Sequence, residues 1–105
     1  MTKVKVESGV CGFTTTIVAE PGEKRQVKLN ITSDCQAVTA LAGELDTLGM
    51  RDVLTKGYGQ GPVFEAAGRT LAHNACPVVS GIFKAAEVAM GLALPRPARI
   101  DFEEE

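Results

Sequence analysis

Four side chains in this sequence could bind a soft metal or act in thiol chemistry. They are Cys11, Cys35, Cys76 and His73, which is the only histidine. His73 and Cys76 stand three residues apart in the run His73-Asn74-Ala75-Cys76-Pro77, while the other two cysteines come from distant segments. Thiolate and imidazole are ligands of zinc and of iron–sulfur clusters, and they also form the nucleophile and base of thiol enzymes. We therefore expect chemistry based on sulfur.

The scattered positions of the cysteines favour an iron–sulfur cluster. The metal atoms of a cluster can be bridged by ligands that arrive singly from separate loops. Cys11, Cys35 and Cys76 would hold three corners of a 4Fe–4S cluster, leaving the fourth to His73, to an external ligand or to a partner. Such a protein would transfer electrons, carry a cluster or act as an accessory, with a redox or cluster-assembly protein as its partner.

Three alternatives remain open. The same residues make a Cys₃His set for tetrahedral zinc, although only His73 and Cys76 form the short chelating pair that is usual in such sites. A thiol enzyme or sulfur carrier would use Cys76 or Cys35 as nucleophile with His73 as base, although the sequence has no Cys-x-x-Cys motif. In a purely structural or partner-binding domain, the cysteines would be small buried hydrophobes.

The first third of the chain reads as three strands. Apolar and polar residues alternate over residues 2–8, 13–20 and 24–32, the period of a half-buried strand. Pro21-Gly22 is a turn signal between the last two. Counting outward from this turn, Cys11 falls opposite the neighbourhood of Thr32, close to Cys35. The hairpin thus predicts that these two thiols meet at one end of the sheet. The position of Cys76 relative to the strands cannot be counted, because a glycine-rich connection over residues 50–61 intervenes.

Helical spacing begins after residue 33. Ser33 and Gln36 have the form of a capping box, and leucines then recur up to Leu48, before Gly49. Further helices are predicted from Pro62 and from the segment after Cys76, where Pro77 suits a first helical turn. Alternation over residues 99–103 predicts a last strand. Each cysteine would then lie in a loop or at a helix entrance, where the helix dipole favours the thiolate.

Composition places these elements in one ordinary globular domain. The chain has 105 residues, of which 45% are hydrophobic and 23% charged, enough for a single α+β domain over residues 1–105. We expect an antiparallel sheet of three to four strands with about three helices packed on one face. A net charge of −2 provides no basic field for nucleic acid.

The same sequence predicts a cytoplasmic protein. No stretch approaches the roughly 20 apolar residues that span a bilayer, and the first residues alternate in charge where a signal peptide would be apolar. We expect no membrane partner. In the cytoplasm thiols stay reduced, and three is an odd number for a disulfide framework.

Four segments together resemble a family of uncharacterised three-cysteine proteins of about 100 residues from anaerobic bacteria and archaea. The segments are Gly9-Val10-Cys11-Gly12-Phe13, Asp34-Cys35, His73-Asn74-Ala75-Cys76-Pro77-Val78 and residues 84–95. The resemblance runs nearly end to end and carries no assigned activity. The link to anaerobes that it implies favours iron–sulfur chemistry.

Overall fold

A four-stranded antiparallel sheet forms the base of the fold. The computed structural model describes residues 1–54 and 57–104. Strands β1 (Thr2–Glu7), β2 (Thr14–Pro21) and β3 (Val27–Ser33) lie side by side in chain order, and a short β4 (Thr47–Leu48) pairs with β3. The alternation of the sequence predicted the first two strands, but it placed the start of the third three residues too early, because Glu23–Arg25 form a 3₁₀ turn.

One face of this sheet is buried and the other is exposed to solvent. In each strand every second residue is covered, while the intervening lysines, glutamates and polar residues are mostly exposed. Such a pattern is expected of an antiparallel sheet with one solvated face. The inward apolar residues that lose nearly all exposure are Val6, Ile17, Ala19, Val27 and Leu29.

The helices cover the buried face. They are α1 (Gln36–Glu44), a single turn α2 (Met50–Val53), α3 (Pro62–Thr70) and α4 (Val78–Ala89). Helix α4 packs on β1 and β2, α1 packs on β3, and α3 contacts both of these helices. The predicted architecture, an α+β fold with an antiparallel sheet and helices on one face, is confirmed.

Three local predictions were wrong. The helix expected to reach Leu48 ends at Glu44, because Leu48 enters the core as a strand residue opposite Val27. Gly49 begins α2 rather than ending α1, and its N–H donates to the Asp52 carboxylate at 2.8 Å. The strand expected over residues 99–103 is absent from this described segment, which is exposed.

The predicted connection over residues 50–61 contains α2, which the sequence did not indicate. Thr55 and Lys56 of this connection lie outside the described residues.

Among the residues that are described, none of the helices combines the length and the apolar character needed to cross a bilayer.

Candidate functional site

Cys11 and Cys35 lie at the same end of the sheet. Glu7, the last residue of β1, pairs with Thr14, and Thr15 pairs with Ser33 at the end of β3. The β1–β2 connection that carries Cys11 and the β3–α1 connection that carries Cys35 therefore leave the sheet at the same end of the strands. We call it the cysteine end. The placement agrees with the hairpin argument, although the register does not.

The register differs because the β2–β3 hairpin is wider than a tight turn. Its connection spans residues 22–26, which include a 3₁₀ turn over Glu23–Arg25, and Pro21 pairs with Val27. Thr32 consequently pairs with Thr16, and Cys11 lies beyond the paired region. The sequence predicted the correct end of the sheet but the wrong opposing residue.

Cys76 belongs to the cysteine end as well. It precedes α4, whose Gly81 sits against Val6 near the end of β1. At its other end, Met90 lines a cleft with Pro21 and Gly22 of the β2–β3 hairpin. Helix α4 therefore runs from the cysteine end toward the hairpin end, and Cys76 enters it from the same side of the molecule as the other two thiols.

Cys11 is presented on a short exposed turn. Residues Gly9–Cys11 form a 3₁₀ turn closed by a hydrogen bond from the Gly12 N–H to the Gly9 carbonyl at 2.9 Å. Gly9 and Gly12 have φ values of 81° and 75°, a left-handed conformation that glycine adopts without steric cost. The side chains of Val10 and Cys11 are exposed. This sulfur is open to solvent and to any molecule that approaches this end.

Cys35 is the N-cap residue of α1 and is held by a polar network. Its N–H donates to the Ser33 hydroxyl at 3.1 Å, and the fully buried Thr15 hydroxyl donates to the same oxygen at 3.0 Å. The Thr39 hydroxyl donates to the carbonyls of Ser33 and Cys35. The predicted capping box of Ser33 with Gln36 was wrong, because the N-cap residue is Cys35, two residues after Ser33, and its side chain makes no capping bond.

Thr15 and Ser33 are the residues that the sequence analysis missed. Thr15 lies on the inward face of β2 with Ile17 and Ala19, which are both fully buried. A hydroxyl at such a position needs a hydrogen-bond partner. The polar residue in an apolar face was the available signal, and it pointed to the network that fixes Cys35.

His73 and Cys76 share one turn ahead of α4. The Cys76 N–H donates to the His73 carbonyl at 3.3 Å, and Pro77 follows as the N-cap residue. His73 is exposed, whereas Cys76, like Cys35, is half-buried and packs against the hydrophobic core. The short pair expected from the sequence thus lies in one turn, with one member facing solvent.

The three cysteines are free thiols, one exposed and two half-buried, at one end of the sheet. Within residues 1–54 and 57–104, no three His, Cys, Asp or Glu side chains are grouped as a metal site. The fold brings the sulfur-bearing segments to one end, but among the described residues they do not form a ligand set. Chemically, the donor set suits soft metals and thiol reactions.

These features define a small α+β domain with a three-thiol end. The sequence matches a family of unknown function, DUF6951, over residues 2–102, and the chain belongs to that family. No curated protein and no solved structure shows significant similarity to it.

Proposed function

We propose that this protein binds a soft metal centre, an iron–sulfur cluster in preference to zinc, through Cys11, Cys35 and Cys76. The observation that supports the proposal is the arrival of three remote thiols at one end of the sheet. Core packing does not account for Cys11, which is exposed on a glycine-flanked turn.

Cys35 and Cys76 provide the fixed part of this site. Both are half-buried against the core, at the entrances of α1 and α4. The hydrogen bonds of Ser33 and Thr39 hold the backbone of Cys35 in place.

Cys11 provides the movable part. Because the thiols are not grouped in the described chain, binding requires the segments that carry them to move together, the exposed Gly9–Cys11 turn among them. Because the turn is exposed and has two flanking glycines, its rearrangement should cost little free energy. Metal binding commonly completes a site that is unformed without metal. His73 is the fourth ligand or lies beside one.

The number and spacing of the thiols favour a cluster over zinc. Three thiolates from separate segments match three corners of a 4Fe–4S cluster, whereas zinc needs the exposed His73 to complete four ligands. A bound cluster would supply one-electron chemistry, or would be cargo for a redox or cluster-assembly partner. The same proposal includes a cytoplasmic location. It also includes relatives in anaerobes that retain all three cysteines, which an alignment of the family would test.

A second candidate function rests on the turn shared by His73 and Cys76. In that case Cys76 is a nucleophile or persulfide carrier and His73 is its base. Cys35, at the entrance of α1, is the alternative nucleophile. This function needs no metal and no movement of Cys11.

Metal analysis of anaerobically purified protein separates these functions. We expect iron and sulfide in the purified or reconstituted protein, with a broad brown absorbance that is lost in Cys11→Ser, Cys35→Ser and Cys76→Ser. Val10→Ser is the matched control, because Val10 is an exposed neighbour in the same turn and has no sulfur. It should retain the cluster.

Other outcomes contradict the cluster proposal. Colourless protein with one zinc per chain, lost in His73→Asn, would establish the tetrahedral site instead. Metal-free protein with a single fast-alkylating thiol at Cys76 or Cys35 would favour the thiol function. Full iron content in any one of the three serine variants would remove that cysteine from the ligand set.

A further inference from the structure

The chain after α4 forms an extended segment that the domain leaves uncovered. Residues 91–104 have no helix or strand, and each of them is exposed. Ile100 and Phe102 are 92% and 103% exposed. The family match nevertheless continues through Phe102, so this segment is part of the family's domain. Its apolar residues Ile100 and Phe102 alternate with charged residues, the period of a strand, but the segment pairs with no strand of the described chain.

The sheet ends in two edge strands, β1 and the two-residue β4, and β1 offers the longer edge. Among the residues that the structure describes, no strand lies on the outer side of β1. Its backbone N–H and C=O groups on that side are available for a further strand. Val4 is only half-buried on the helix-covered face, although it packs against the core. A fifth strand would cover it.

One antiparallel register matches the two segments at all five positions. With Ile100 opposite Val6, Phe102 lies opposite Val4, and both apolar pairs face the core side. On the solvated face the same register creates only opposite-charge pairs, which stabilise neighbouring strands. These pairs are Arg99 with Glu7, Asp101 with Lys5 and Glu103 with Lys3.

Other alignments are worse. Parallel pairing that keeps Ile100 beside Val4 puts Arg99 beside Lys3 and Glu103 beside Glu7, two pairs of like charge. Antiparallel pairing shifted by two residues puts Arg99 opposite Lys5, or Asp101 opposite Glu7. A shift by one residue moves Ile100 and Phe102 to the solvated face. Among these alignments, charge and burial favour the same direction and register.

We propose that residues 99–103 of one chain add as a fifth, antiparallel strand to β1 of a second copy. The chain's own β1 is a poor acceptor because of direction. Helix α4 runs from the cysteine end to the hairpin end, and the segment then turns back along α4, where the Lys84 ammonium donates to the Arg96 carbonyl at 3.1 Å. Continuing in this direction, the segment would meet its own β1 in parallel.

A second copy has no such constraint. Each chain supplies both a free edge and a strand that fits it, so two copies can exchange their terminal segments around a two-fold axis and leave neither edge open. The ion pairs Lys5–Glu7 within β1 and Arg99–Asp101 within the terminal segment already hold the charged side chains of each partner beside one another. The assembly uses no cysteine and is independent of the proposed metal centre.

Molecular mass in solution tests this proposal on the full-length protein. We expect a dimer by light scattering and sedimentation equilibrium. Lys5→Asp and Asp101→Lys should each raise the dimer dissociation constant roughly tenfold or more, because each places like charges opposite one another. The double variant should restore dimerisation. Lys28→Asp is the matched control, since Lys28 is an exposed lysine on the inner strand β3, and it should stay dimeric.

Folding failure does not confuse the test. Ile100 and Phe102 are exposed in the free chain, so Ile100→Ser with Phe102→Ser should preserve the circular dichroism spectrum while abolishing the dimer. A wild-type monomer at every concentration would overturn the proposal, as would a double charge variant that is no better than either single one. A monomer in which the chain's own residues 99–103 protect the amides of β1 from hydrogen exchange would also overturn it.

Discussion

Gly81 of α4 lies against Val6 of β1 so closely that a Cβ atom has no room there. A methyl group added to Gly81 would overlap Cγ2 of Val6 and would come within 3.1 Å of Cδ1 of Ile17. Both neighbours belong to the buried core. The contact seats the first turns of α4 on the sheet and thereby fixes the approach of Cys76 to the cysteine end.

Gly81→Ala should accordingly destabilise the protein. Overpacking of a tight core costs about 1–3 kcal/mol, and the better helix propensity of alanine offsets about 1 kcal/mol of this. We expect a net loss of up to about 2 kcal/mol in the free energy of unfolding, measured by denaturant titration. Gly68→Ala in α3 is the control, because an added Cβ meets nothing within 4 Å, and it should be neutral or stabilising. Equal effects of the two substitutions would refute the close contact.

Ser33→Ala should cost more stability than Thr15→Val. Removal of the Ser33 hydroxyl leaves both the buried Thr15 hydroxyl and the Cys35 N–H without their acceptor, a loss of about 1–3 kcal/mol. Thr15→Val removes the buried donor together with its need for a partner and should cost less. Thermal unfolding of both variants and of the double variant measures the difference. A larger effect of Thr15→Val would contradict the two hydrogen bonds accepted by the Ser33 hydroxyl.

The three thiols should differ in accessibility in the metal-free protein. Cys11 is exposed, while Cys35 and Cys76 are half-buried against the core. Iodoacetamide should therefore modify Cys11 first under native conditions, as followed by peptide mass spectrometry. In denaturant the rates should converge, which provides the control. Faster native modification of Cys76 would instead support its role as a nucleophile.

Arg25→Gly should stabilise the fold modestly. Arg25 has a φ of 59°, a left-handed conformation that is costly for a residue with a Cβ atom. Glycine removes this strain but gains freedom in the unfolded chain, so we expect a net gain of about 0.5–1 kcal/mol in chemical denaturation. Lys28→Gly, in the extended backbone of β3, should destabilise the protein. A loss of stability in Arg25→Gly would contradict the left-handed backbone.

The parts of the fold that sequence alone predicted have a strong periodic signal. The first three strands alternate because one face of the sheet is solvated, and α4 follows a long apolar stripe. The leucine spacing around Leu45 and Leu48 fits a helix equally well, and only the pairing of Leu48 with Val27 decides for a strand. Residues 99–103 carry a strand pattern, but the described chain gives them no neighbour.

Sequence alone predicted the end of the sheet at which two of the cysteine-bearing segments lie. Antiparallel pairing brings the Cys11 turn and Cys35 to one end whatever the hairpin length, so that conclusion needed no accurate register. The side on which Cys76 lies depends on the direction of α4 across the sheet, in which Gly81 packs on Val6. No local pattern encodes that contact.

The wide β2–β3 connection at residues 22–26 is the natural place to modify the protein for experiments. It lies at the opposite end from all three thiols, and its residues are exposed. An affinity peptide or a fluorescent reporter inserted there should leave both the cysteine end and the free edge of β1 unobstructed. Such a tagged protein could be used to isolate whatever occupies either surface in the cell.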